Sequence, residues 1–323
     1  MLSIRRIVFA LFIGILLSSG LFAQNSGTMD QYFDADSLNK QIDGFVRSIY
    51  NFIPDSTTLQ NMWSYVPGGD VWVGVGLGGS FTFKSQKDTG SISRGMDTFG
   101  ADNLDLTKFP QAIPYLPGVG IDARIGMNRF DVGMVGMWLD ENILAEYVGT
   151  NFLGEGSYFG YRTLGIDARY ALLMAKGLIP NVTLQAGYYF TWLNFGFTAK
   201  TNVGRELVDI KFANDTFMFG AQATYSNMPL IIPFAGLKMI SSRTHSGYEW
   251  QTQRPVMIKD EPYLNGVNYV SGANEGDYLL YFQVYGGFGL SLVLEHELTF
   301  GMSYNLVTNH FCINLAARMI IGN

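Results

Sequence analysis

From residue 69 onward, apolar residues recur at every second position rather than in blocks or at helical spacing. Val71, Val73, Val75 and Leu77 alternate with Gly74, Gly76 and Gly78, and Phe81 and Phe83 close the segment. Side chains at i and i+2 share one face of a strand, so this segment has an apolar face and a face of small residues. The same period predicts further strands over 115–127, 130–139, 158–173, 182–197, 217–225, 230–241, 277–294, 298–307 and 311–321. The pentapeptide Gly120-Ile121-Asp122-Ala123-Arg124 returns as Gly165-Ile166-Asp167-Ala168-Arg169. In both copies the apolar side chains point one way and the aspartate and arginine the other.

The segments between these strands also alternate. Long polar stretches follow strands one, three, five and seven, notably 84–112 and 242–276, whereas the second and third strands are joined at Asn128-Arg129 alone. Residues 205–213 alternate as well and read as a hairpin extension ahead of strand six. Pro233, inside strand seven, predicts a bulge or a missing ladder bond. Upstream the period changes: Leu38, Ile42, Phe45, Ile49 and Phe52 step by three and four. They mark the apolar stripe of an amphipathic helix over about 36–53 that Pro54 ends.

A soluble sandwich would produce the same alternation, and what decides against it lies elsewhere in the chain. Arg5 and Arg6, the apolar run 7–17 and small residues up to Ala23 form a signal peptide, so the exported chain is expected to start near Gln24. No second apolar run is long enough for a transmembrane helix. Glycine stands at 38 of 323 residues and aromatics at 15%, a composition that suits strands facing lipid. Long connections alternating with short turns are the pattern of an outer-membrane barrel. The expected fold is therefore all-β: an antiparallel transmembrane β-barrel of about ten strands, within a range of eight to twelve, preceded by a short amphipathic helix. It divides the chain into a signal peptide (1–23), a periplasmic or plugging segment (24–66) and the barrel (67–323), in the bacterial outer membrane.

Charge narrows the function classes. Cleavage removes two basic residues and no acidic one, taking the formal charge from −6 to −8, which argues against nucleic acid as a partner. The single Cys312 excludes an internal disulfide and reads as a packed small residue. His245, His296 and His310 are too scattered for a metal site, and no cofactor is expected. No Gly-x-Ser-x-Gly elbow or Asp-x-His pair occurs, so no enzymatic activity is expected. On strand parity Asp122, Arg124, Asp167, Arg169, Lys238 and Arg318, with Arg162, are expected to face the lumen as a network of opposite charges. A barrel of this size has an interior little wider than its side chains. The network therefore reads either as a core that neutralises itself or as a charged constriction.

Asp122–Gly126, Gly165–Leu173 and Pro233–Leu237, behind a helical leader, resemble outer-membrane barrel proteins of spirochaetes, a family without an agreed activity. The resemblance implies fold and location. It also implies outer-membrane lipids and the barrel-assembly machinery as partners, although the chain ends Ile320-Ile321-Gly322-Asn323 without the terminal aromatic usual for that machinery. The expected function is a narrow channel or a transporter for small or hydrophobic solutes, with the stripe Leu38, Ile42, Phe45, Ile49 and Phe52 as a plug packed at the periplasmic mouth. The alternative is a structural or surface-exposed protein, an adhesin or antigen, whose long loops meet an extracellular ligand.

Overall fold

The computed structural model describes residues 33–34, 53–57, 62–64, 66–68, 70–83, 115–139, 158–174, 179–201, 204–228, 230–252, 256–258, 261–263, 268–292 and 296–322. Ten strands form its wall: β1 (Trp72–Phe83), β2 (Tyr115–Met127), β3 (Phe130–Leu139), β4 (Tyr158–Leu173), β5 (Asn181–Thr201), β6 (Gly204–Thr224), β7 (Ile231–Thr252), β8 (Leu279–Ser291), β9 (His296–Asn305) and β10 (Phe311–Ile321). Each pairs antiparallel with its neighbours in sequence, and β10 pairs with β1 from Phe311↔Phe83 to Ile321↔Val73, so the ten-stranded wall closes on itself. Closure matters because unpaired backbone groups cannot be left in hydrocarbon.

Burial follows the period of two. Along β10, Cys312, Asn314, Ala316, Arg318 and Ile320 are buried, while Phe311, Leu315, Met319 and Ile321 are exposed. The exposed face is apolar all round the barrel, with Leu77, Ile121, Met134, Leu164, Leu237 and Leu298 among its members. The buried face is polar, with Thr163, Thr191, Gln185, Gln222, Lys238, Gln283 and Thr299. A chain that exposes its hydrophobic residues and buries its charges is built for lipid outside and polar contacts within.

β5, β6 and β7 run to 21, 21 and 22 residues, about twice what a tilted membrane strand needs. Their far ends, with the segment Asn268–Glu275 paired to β7, form a four-stranded extension. Residues 205–213 are thus continuous with β6, and 243–252 belong to β7 rather than to a loop. The apparent breakers between them find partners on adjacent strands. Asn214 donates to Ser242 (2.8 Å) and Thr244 (2.7 Å) inside, and Asp215 accepts from Tyr188 (2.5 Å) outside. Pro233 makes no bulge. It pairs in register with Phe288 close to the start of β7, where one missing donor costs the ladder little, and its carbonyl accepts from Tyr225. The register shift lies instead at Ala171/Leu173 in β4.

The barrel has two distinct ends. At one end lie the start of β1, the end of β10 and the turns after β2, β4, β6 and β8, including Asn128, which takes the left-handed φ of 56° that asparagine tolerates better than most residues. The long connections 84–114, 140–157 and 253–278 leave from the other. Ahead of β1, helix α1 (Ile53–Thr57) and residues 62–64 lie inside the barrel: Ile53, Asp55, Met62, Trp63 and Ser64 are all at most 1% exposed. Pro54 sits in the first turn of α1 rather than ending a helix, because the N–H it lacks has no intrahelical acceptor there. The stripe Leu38, Ile42, Phe45, Ile49 and Phe52 lies outside the described residues.

Candidate functional site: a lumen crossed by the chain

The wall supplies the first half of the site. From β2, Arg124 pairs with Asp131 of β3 and with Asp167 of β4. Arg169, also on β4, donates Nε and Nη2 to the same Asp131 (3.1 and 2.7 Å). On the other side of β1, Arg318 donates Nε and Nη2 to one oxygen of Asp122 (3.1 and 3.0 Å). All six residues are at most 5% exposed, so each charge depends on its partner, because an unpaired buried ion costs several kcal/mol. Their opposite charges cancel. Glycines make these pairs possible. Gly76 lies in register between Arg318 and Asp122, and Gly133 between Arg124 and Asp167. A Cβ on Gly133 would fall 2.5 Å from Arg124 Nη2.

The second half comes from the chain that fills the lumen. Asp55 accepts from Gln283 Nε2 and Asn305 Nδ2 (both 2.6 Å) and from Thr308 Oγ1 (3.2 Å), and it meets His310 Nδ1 at 2.7 Å. These partners stand on β8 and around the β9–β10 connection, at the end of the barrel from which the long loops leave. Met62 and Trp63 lie nearer the opposite end. The carbonyl of Met62 accepts from Arg318 (3.0 Å) and that of Trp63 from Gln222 on β6 (2.7 Å), so the segment is docked to facing walls. The indole of Trp63 lies against three guanidiniums, with Cζ atoms 4.3 Å (Arg318), 5.4 Å (Arg124) and 5.9 Å (Arg169) from its ring centroid. Wall glycines make room: a Cβ on Gly74 would fall 2.8 Å from the Trp63 ring, and one on Gly301 2.5 Å from the Met62 sulfur.

The structure thus brings Asp122, Arg124, Asp167, Arg169 and Arg318 around one part of the lumen, in two groups of ion pairs joined through Trp63. Lys238 also faces inward and is buried, but its Nζ sits 4.7 Å over the Tyr285 ring. Arg162 is exposed on the outer face, opposite in parity to Asp167, which corrects its expected inward position. Asp131 is a member that the sequence reading missed. Its signal was there, since Phe130, Val132 and Met134 alternate outward around it. Asp55 and Trp63 had no such signal, because they lie on no strand and their partners are far away in sequence. Whereas the stripe Leu38 to Phe52, expected at the periplasmic mouth, lies outside the described residues, residues 53–57 and 62–64, within the expected periplasmic or plugging segment 24–66, lie inside the lumen. Polar wall and polar segment contacts gave them a lumen they could enter.

Comparison with known families finds no match, and comparison with curated proteins finds none. Among solved structures, the chain is similar to the translocator domain of the autotransporter NalP from Neisseria meningitidis, at 10% identity and a TM-score of 0.39, covering 88% of this chain and 96% of that one. It is also similar to the outer membrane protease OmpT from Escherichia coli (10%, 0.36, 79% and 97%) and to the Pseudomonas putida toluene transporter TodX (9%, 0.32, 81% and 91%). These are likenesses of barrel architecture without residue correspondence. By its own closed antiparallel wall, apolar exterior and charged interior, the chain is a bacterial outer-membrane β-barrel.

Proposed function

We propose that the protein is a gated transport barrel for small or hydrophobic solutes, closed in this structure by residues 53–57 and 62–64 and opened when they leave the lumen. The latch at Asp55 carries this reading. Ile53, Met62 and Trp63 pack against the wall, whereas Asp55 is a carboxylate held by hydrogen-bonding groups whose place water takes when the segment leaves. The wall pairs among Asp122, Arg124, Asp131, Asp167, Arg169 and Arg318 do not include the segment, so the wall keeps its charge balance when it departs. The short turns face the periplasm and the long connections the exterior, as in other outer-membrane barrels. Planar-bilayer conductance tests the reading. Wild type should be mostly closed, and Asp55→Asn should open in discrete steps. A wild type with steady conductance, or a silent Asp55→Asn, would overturn it.

A surface-protein reading has one observation in its favour, the extension of β5, β6 and β7 beyond the lipid belt. It stands if both forms are silent in bilayers.

A further inference from the structure

The wall that Trp63 leaves behind has a chemistry of its own. Arg124, Arg169 and Arg318 are fixed by wall carboxylates rather than by the segment: Arg124 by Asp131 and Asp167, Arg169 by Asp131, and Arg318 by Asp122. Among the described residues, the guanidinium hydrogen bond to the segment runs from Arg318 to the carbonyl of Met62. The positions of the three cations are therefore set in advance of anything that lies against them. What lies against them now is an aromatic ring. Gly74 forms its floor, Trp72 stands beside it at 6.3 Å and a 50° tilt, and Ile320 belongs to the same buried cluster. The Trp63 ring is fully buried, yet its Nε1–H makes no hydrogen bond. The slot takes the π-face of the indole and ignores its polar edge.

We propose that this slot is a solute-binding site for an uncharged aromatic ring, which Trp63 occupies in the closed state and a solute occupies in the open one. The assignment rests on the gating reading above. A cation held near a ring centroid is attracted by the negative face of the ring, and more strongly where water is excluded. Three such cations on one slot select aromatic over saturated rings of equal size. The surrounding carboxylates already cancel the three positive charges, so the slot gains nothing from an anionic solute. Competition between Trp63 and the solute links binding to opening, because a ligand that prefers the open state shifts the equilibrium toward it.

The test uses the full-length barrel carrying Trp63→Gly, which empties the slot and keeps the Asp55 latch. Phenol and cyclohexanol serve as probes because they match in size and hydroxyl and differ only in the ring. The variant should bind phenol at least tenfold more tightly than cyclohexanol, and wild type, with the slot filled, should bind phenol at least tenfold more weakly than the variant. A phenol to cyclohexanol ratio near one, or equal phenol binding by wild type and variant, overturns the proposal. If Trp63→Gly does not give a folded barrel, Trp63→Phe and Trp63→Leu replace it, with thiol labelling of a cysteine placed at Ser64 as the readout. Labelling should be at least tenfold faster in the leucine variant, and equal rates overturn the proposal. The gating reading fails separately: an Asp55→Asn barrel that stays closed refutes gating whatever the probes do, and an open one with no preference for phenol refutes the aromatic slot alone.

Discussion

Arg318 and Asp122 are held together across a strand to which neither belongs. Gly76 of β1 lies in register with both, and a Cβ there would collide with the Asp122 carboxylate and fall 2.8 Å from Arg318 Cγ. The pair exists because the strand between them has no side chain at that position. Arg124 and Asp167 repeat the arrangement across Gly133. Wall glycines that face the lumen are thus the openings through which charges on next-but-one strands meet.

Gly76→Val should therefore destabilise the barrel although valine favours strands. The new side chain separates a buried ion pair, and breaking such a pair costs about 3–5 kcal/mol. Denaturant unfolding in lipid vesicles, followed by Trp fluorescence, measures it. A loss no greater than that of Gly136→Val, where the space is open, would show that the bridge contributes nothing.

The same pair predicts a coupling. Arg318→Ala and Asp122→Ala should each cost about 3–5 kcal/mol, and the double variant should cost clearly less than their sum. Additive losses would mean that each side chain is stabilised by other groups.

Orientation predicts surface exposure on the N-terminal side of the lumen. The chain runs from Asp55, at the end with the long connections, to Trp72 at the end with the short turns. Phe33–Asp34 pair in parallel with Val256–Met257, within the connection after β7. A cysteine replacing Asp34 should react with an impermeant maleimide on intact cells, and one replacing Met174, exposed after β4, only after permeabilisation. The reverse pattern would invert the barrel.

The outer face should reject charge. Leu237 is 62% exposed on the apolar outer face, so Leu237→Arg should cost up to about 2–4 kcal/mol, depending on its depth in the bilayer. Lysine at Met228, exposed in a rim turn, should cost only about 0–1 kcal/mol. Equal effects in vesicle unfolding would mean that Leu237 does not face hydrocarbon.

Much of the barrel was legible because a strand has a period of two and lipid enforces it. The span 311–321 of β10, the turn at Asn128-Arg129 and the inward parity of Asp122, Arg124, Asp167 and Arg169 all follow from alternation alone. Alternation fails where polar residues find partners on adjacent strands. Asn214 and Asp215 look like a loop in sequence and are mid-strand in β6 for that reason.

By itself the sequence determined that the chain forms a closed wall with an apolar exterior and which side chains turn inward, since both depend only on spacing along the chain. Which inward charges meet was decided by register, which puts Gly76 between Arg318 and Asp122 and so lets β10 reach β2. What fills the lumen was decided by the tertiary structure as well. Asp55 lies 255 positions from His310, and no local pattern records that a segment outside the wall provides the carboxylate these strands bind. Contacts of that range arise only once closure has brought β8, β9 and β10 around one space, where a carboxylate excluded from water is retained only among the donors they supply.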